Sequence, residues 1–199
     1  MPPTVVRALL TLALAGSLPI AAGPARGQQI QEVVIAEGLT LLDIDGPDRL
    51  KKGLRTAIEI ARQGDYPRAA DELLPLRREA DARAFCDAQA DVLVANYVTL
   101  RIRGLQGLLE GARRNPRLLR ELTLAQLETI SLAFAVLRAY DELRDDIARA
   151  APRLPPVVRS HLKRANIEAR DFVSSPDVRR LEGDILQMIH LRRRGPVAP

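Results

Sequence analysis

Apolar residues recur at steps of three and four along most of this chain, as they do on one face of a helix. Leu105, Leu108, Leu109 and Ala112 show the pattern, and so do Leu124, Leu127, Ile130, Leu132 and Phe134. Ala, Leu, Arg and Glu carry it, and all are good helix formers. Almost no strand signal interrupts it after the first 27 residues. The pattern predicts an all-α fold of antiparallel helix pairs, with an irregular helical bundle as the alternative.

Glycine, proline and capping residues divide the helical text. Asp45-Gly46-Pro47 ends a first amphipathic segment from about Gln29 to Leu42. A second helix runs from Pro47 to about Gln63, since a proline in the first turn forfeits no hydrogen bond. Gly64-Asp65 breaks it. The glycine can take the left-handed backbone conformation, and Asp65 can cap a new helix that starts near Tyr66. So short a turn folds the two helices back on each other. Small Ala69 then allows close approach, with Leu73 and Leu76 filling the space between them. Asn115-Pro116 and the prolines at 152, 155 and 156 close later segments. Ser175 and Pro176 start the last helix, and the basic end LRRRG reads as a flexible tail over 192–199.

The first 27 residues have another character. Arg7 precedes the short apolar stretch Ala8 to Ala15, and Ala25-Arg26-Gly27 offers small side chains where a signal peptidase reads them. This predicts a secretory signal peptide cleaved before Gln28, and therefore a periplasmic or secreted protein. An uncleaved N-terminal anchor is the alternative. Cleavage leaves 172 residues, enough for one domain with its own core over 28–191. It also lowers the net charge from +5 to +3, because Arg7 and Arg26 leave with no acid. So mild a charge, on an exported chain, argues against nucleic acid as a partner. Cys86 is the only cysteine, so no internal disulfide can form. Its apolar surroundings suit a buried thiol.

Sites with catalytic or metal chemistry are not written here. "DIDGPD" at 43–48 has its glycine at the fourth position instead of the sixth, and Leu54 stands where an EF-hand needs a closing glutamate. His161 and His190 are far apart, with no further His or Cys at ligand spacing. The SHLKR context places His161 on the surface, and Met188 and Ile189 place His190 partly inside. Arg138 and Glu142, four apart, suit an exposed helix face. No nucleophile elbow or phosphate loop occurs. The sequence points to a non-enzymatic protein without a cofactor.

The helix pair about Gly64 resembles a tetratricopeptide repeat, a helix-turn-helix unit that stacks into a solenoid. Ala57, Ile60, the Gly64-Asp65-Tyr66 turn, Ala69 and Leu73 carry the resemblance, while Gly53 departs from the large residue of the first helix. A second match spans 124–155 through Leu127, Ile130, Ser131, Phe134, Tyr140, Ile147, Ala150 and Pro155, with Leu143 departing from a small residue. A looser one spans 85–116, with Gly104 and Pro116. The resemblance implies a groove presented by the first helix of each unit. Lys51, Arg62, Gln89, Asn96, Tyr97 and Glu128 would line it with Leu54, Ile58, Leu93 and Leu132. Such a mixed surface suits an extended peptide or a helix of another envelope or exported protein, with weak contact between the basic tail and a membrane surface. The protein is expected to be a binding scaffold. A self-associating structural component of the envelope and a small-molecule binding protein are the alternatives.

Overall fold

The computed structural model describes residues 29–81, 84–142 and 154–194. The signal peptide expected at 1–27 and the repeat residues Leu143, Ile147 and Ala150 lie outside them. Helices dominate, so the all-α class stands. It carries one addition: strands β1 (Ile30–Ala36) and β2 (Leu39–Ile44) form an antiparallel hairpin. The stretch from Gln29 to Leu42, expected as a helical segment, belongs to this hairpin. The run Val33-Val34-Ile35 explains the difference. Branched side chains are restricted in a helix and pack well on a pleated strand. Gly38 turns the chain with φ 69°.

Seven helices follow among the described residues: α1 (Asp48–Arg62), α2 (Tyr66–Asp81), α3 (Asp87–Arg114), the single turn α4 (Leu118–Glu121), α5 (Leu124–Glu142), α6 (Pro156–Ser174) and α7 (Pro176–Arg194). The α1–α2 pair forms as the sequence indicates. Gly64 adopts φ 84°, and the Asp65 carboxylate accepts from the Arg68 amide at 3.2 Å. Ala69 and Leu73 are completely buried. A Cβ on Gly53 would come within 2.5 Å of Leu76, so the missing side chain makes room for that leucine. Ala69→Leu adds methylenes at this contact and is expected to cost about 1–3 kcal/mol, read from the urea midpoint. An unchanged midpoint would mean the two helices do not meet there.

The other two repeat-like stretches fold differently. Residues 85 to 116 hold one uninterrupted helix, α3, where a helix pair was expected. The backbone also stays helical through Tyr140 to Glu142, so no turn forms beside that tyrosine. Neither place has a Gly-Asp pair or a proline to end the helix. At 28 residues α3 is about 42 Å long. It touches α2, α5, α6, α7 and β2, and the other elements pack around it. Phe134 of α5 stacks on Phe172 of α6 with ring centroids 6.3 Å apart.

Of the basic end expected as a tail, residues 195–199 lie outside the described residues. Arg192–Arg194 complete α7. Arg192 donates to the main-chain oxygens of Arg120, at 2.6 Å, and Leu122, and Arg193 pairs with Glu128 at 2.6 Å. Arg192 thus meets carbonyls at the end of α4, where positive charge is favoured. Arg138 reaches Glu182 of α7, while the side chain of Glu142, its expected partner, lies outside the described residues.

Candidate functional site

One face of α3 carries a polar side chain every seven residues: Gln89, Asn96 and Arg103. Seven residues advance a helix by about 10.5 Å, close to the rise of three or four residues of a strand. Each side chain therefore meets β2 or its flanks. Gln89 donates to the Asp45 carbonyl at 3.0 Å. Asn96 accepts from the Leu42 amide and donates to the Leu42 carbonyl, both at 2.7 Å. Arg103 donates to the Gly38 carbonyl at 2.6 Å. This face does recognise an extended segment, and the segment is the chain's own β2.

The six groove residues expected from the sequence are thus not brought together on an open surface. Gln89, Asn96 and Tyr97 are buried, the first two beneath the hairpin. Tyr97 packs against Arg77 of α2, whose guanidinium carbon is 4.7 Å from the ring centroid, and against Arg101, at 5.0 Å. Lys51 pairs with Asp45 at 3.3 Å, Arg62 is exposed, and Glu128 is held by Arg193. Leu54, Ile58 and Leu93 are core, and Leu132 is exposed. The histidines are reversed as well. His161 is buried with Nε2 2.7 Å from a Glu32 carboxylate oxygen, whereas His190 faces solvent. Cys86 is exposed at the N-cap of α3, where its side chain accepts from the backbone of Gln89. Its helix starts at the next residue, and that takes it off the apolar face.

An open cleft lies elsewhere, between α2, α3 and α5, with a volume of about 480 Å³. From α3 come Gly104, Leu105 and Leu108, with Arg101 at one end; α5 supplies Ala125, Gln126, Thr129, Ile130 and Ala133. The start of α2 adds Pro67, Arg68 and Asp71, with Asp65 just before it. Leu105 and Ala133 are buried at the floor, while Arg68, Asp71, Gln126 and Thr129 are exposed at the rim. Gly104 keeps α2 close, since a Cβ there would lie 3.1 Å from the Pro67 ring. The side chains of Thr123 and Gln126 cap α5 reciprocally and fix that wall.

Arg101 is the charged group built into the cleft wall. Only 6% of it is exposed, and it donates to Asp71 at 2.6 Å. Burial works against its charge most strongly, but Tyr97 and Asp71 more than offset that and raise its pKa. The guanidinium is therefore a fixed cation. Its Nε has no hydrogen-bond partner among the described residues.

Among the described residues, Asp91, on the first turns of α3, is the carboxyl that departs from ordinary behaviour. Burial, and secondarily the charge of Asp87 one turn back, push its pKa up to about 7 from 3.8. The folded protein then holds this proton more tightly than the unfolded chain does. Stability is greatest below the unfolded value and declines as pH rises through about 7. Asp91→Asn is expected to raise stability by about 1–3 kcal/mol at pH 8, partial exposure having been allowed for, and to leave it unchanged near pH 4. Urea titrations at the two pH values check this; an equal effect at both would contradict it.

Among the described residues no three His, Cys, Asp or Glu side chains are placed to hold a metal ion. No described helix is long and apolar enough to cross a membrane. Compared with known proteins, the chain matches no family model, no curated protein and no solved structure.

Proposed function

We propose that this is an exported, non-enzymatic binding protein whose α2–α3–α5 cleft takes a short, mainly apolar segment of another protein. The cleft carries the reading: an apolar floor supplies affinity, and a polar rim with a buried guanidinium fixes the orientation of what enters. Export to the periplasm or medium rests on the composition of residues 1–27.

Selection of displayed random dodecapeptides on the purified protein tests the reading. The enriched peptides should share apolar anchors and compete for one site. Thr129→Trp fills the cleft from its exposed rim, and binding should fall at least tenfold while the thermal midpoint holds. Selected peptides that bind the filled variant equally well would exclude the cleft. The volume also lies within the range of small-molecule sites, so a compact apolar ligand is the second reading. Native mass spectrometry on protein from the producing cell would show it as a bound adduct.

A further inference from the structure

The hairpin has an outer edge that no described residue hydrogen-bonds, and it is independent of the cleft. Asn96 takes both main-chain groups of Leu42, so these point away from β1. Leu42 is paired in register with Glu32, and in an antiparallel ladder both members of such a pair turn their main-chain groups outward. The N–H and C=O of Glu32 and, two residues on, of Val34 therefore face away from β2. Among the described residues no hydrogen bond to these groups occurs. An exposed strand edge of this kind is a template for another strand. β1 has seven residues, contains neither lysine nor proline, and leaves Val34 70% exposed. Those are features that protected edges lack.

We infer that the outer edge of β1 docks an extended, lysine- or arginine-bearing segment of another protein, which adds to the hairpin as a third strand. Charge selects this occupant. Glu32 and Glu37 are the only charged residues from 29 to 37, and both are acidic. Glu32 is half exposed, and one of its oxygens is held by His161. Its other oxygen has no hydrogen-bond or ion-pair partner among the described residues, so it can meet a cation on the incoming strand. A second copy of the chain fits less well. Two β1 strands paired about Val33 would set their Glu32 side chains diagonally across from each other. A seven-residue edge alone also falls far short of the roughly 1,200–2,000 Å² that stable protein pairs bury. One added strand needs no such area, because main-chain hydrogen bonds supply its affinity.

The test uses the full chain and a capped synthetic heptapeptide of alternating valine and lysine. One comparison peptide carries N-methyl groups on the backbone nitrogens that would face β1, and another has glutamate for lysine. Nuclear magnetic resonance should show the lysine peptide shifting the amide signals of Glu32 and Val34. N-methylation should abolish binding, and glutamate should weaken it at least tenfold. Val34→Pro, which removes an outward N–H, should also abolish it. If that variant fails to fold, the N-methylated peptide decides. Failure of the lysine peptide to bind, or equal binding of the N-methylated one, overturns strand addition. Equal binding of the glutamate peptide overturns the basic partner. Concentration-dependent dimers without peptide, removed by Val34→Pro, would put a second copy on the edge instead.

Discussion

Tyr97→Ala is expected to lower stability by about 3–5 kcal/mol, among the largest effects of any single change in this chain. The ring is 3% exposed and lies against the guanidiniums of both Arg77 and Arg101. Each cation is attracted to a ring face, an interaction worth up to about 2 kcal/mol when water is excluded. Alanine would remove both attractions, open a cavity in the core, and leave two buried cations without the ring. Tyr97→Phe keeps the ring in place and should recover most of the loss. Urea midpoints for the two variants settle it. A mild effect of alanine would mean that Tyr97 faces a groove, as the repeat resemblance implied.

Asn96→Leu should be nearly as damaging, at about 2–4 kcal/mol, for a different reason. Leucine has about the same size but can neither accept from the Leu42 amide nor donate to its carbonyl. Both groups are buried, and each stranded one costs about 1–3 kcal/mol. The defect should also be local. Hydrogen exchange at Leu42 and its neighbours in β2 should accelerate well before that of α2 or α3. Uniform acceleration through the whole protein would show that the hairpin and the bundle are a single cooperative unit.

Much of the helical text was legible because its punctuation is local. Gly64-Asp65, Asn115-Pro116 and Ser175-Pro176 all stand where helices end or begin. The hairpin was missed because its seven-residue edge strand alternates weakly and helix-rich text surrounds it. Its signals were the run Val33-Val34-Ile35 and the glycine that follows. The face of α3 bearing Gln89, Leu93 and Asn96, expected to line an open groove, lies under the chain's own β2. What covers it is set by a contact between residues 54 apart, which no local pattern shows. The cleft was equally hidden. It gathers residues from 65 to 133 through the packing of three helices, and Ala125, Thr129 and Ala133 look unremarkable along the chain. The fate of Arg192 and Arg193 likewise depends on carbonyls and an acid more than sixty residues away.

The cleft is tested most directly inside the producing cell. A photoreactive benzoylphenylalanine at Thr129, on the cleft rim, should yield a discrete adduct with another protein on irradiation. The same group at Lys52, on the exposed face of α1 and outside the cleft, should not yield it. Leu108→Asp, which places a charge against the apolar floor, should remove the adduct from position 129 while the protein stays folded. An adduct that forms equally from both positions, or that survives Leu108→Asp, would contradict a binding role for the cleft.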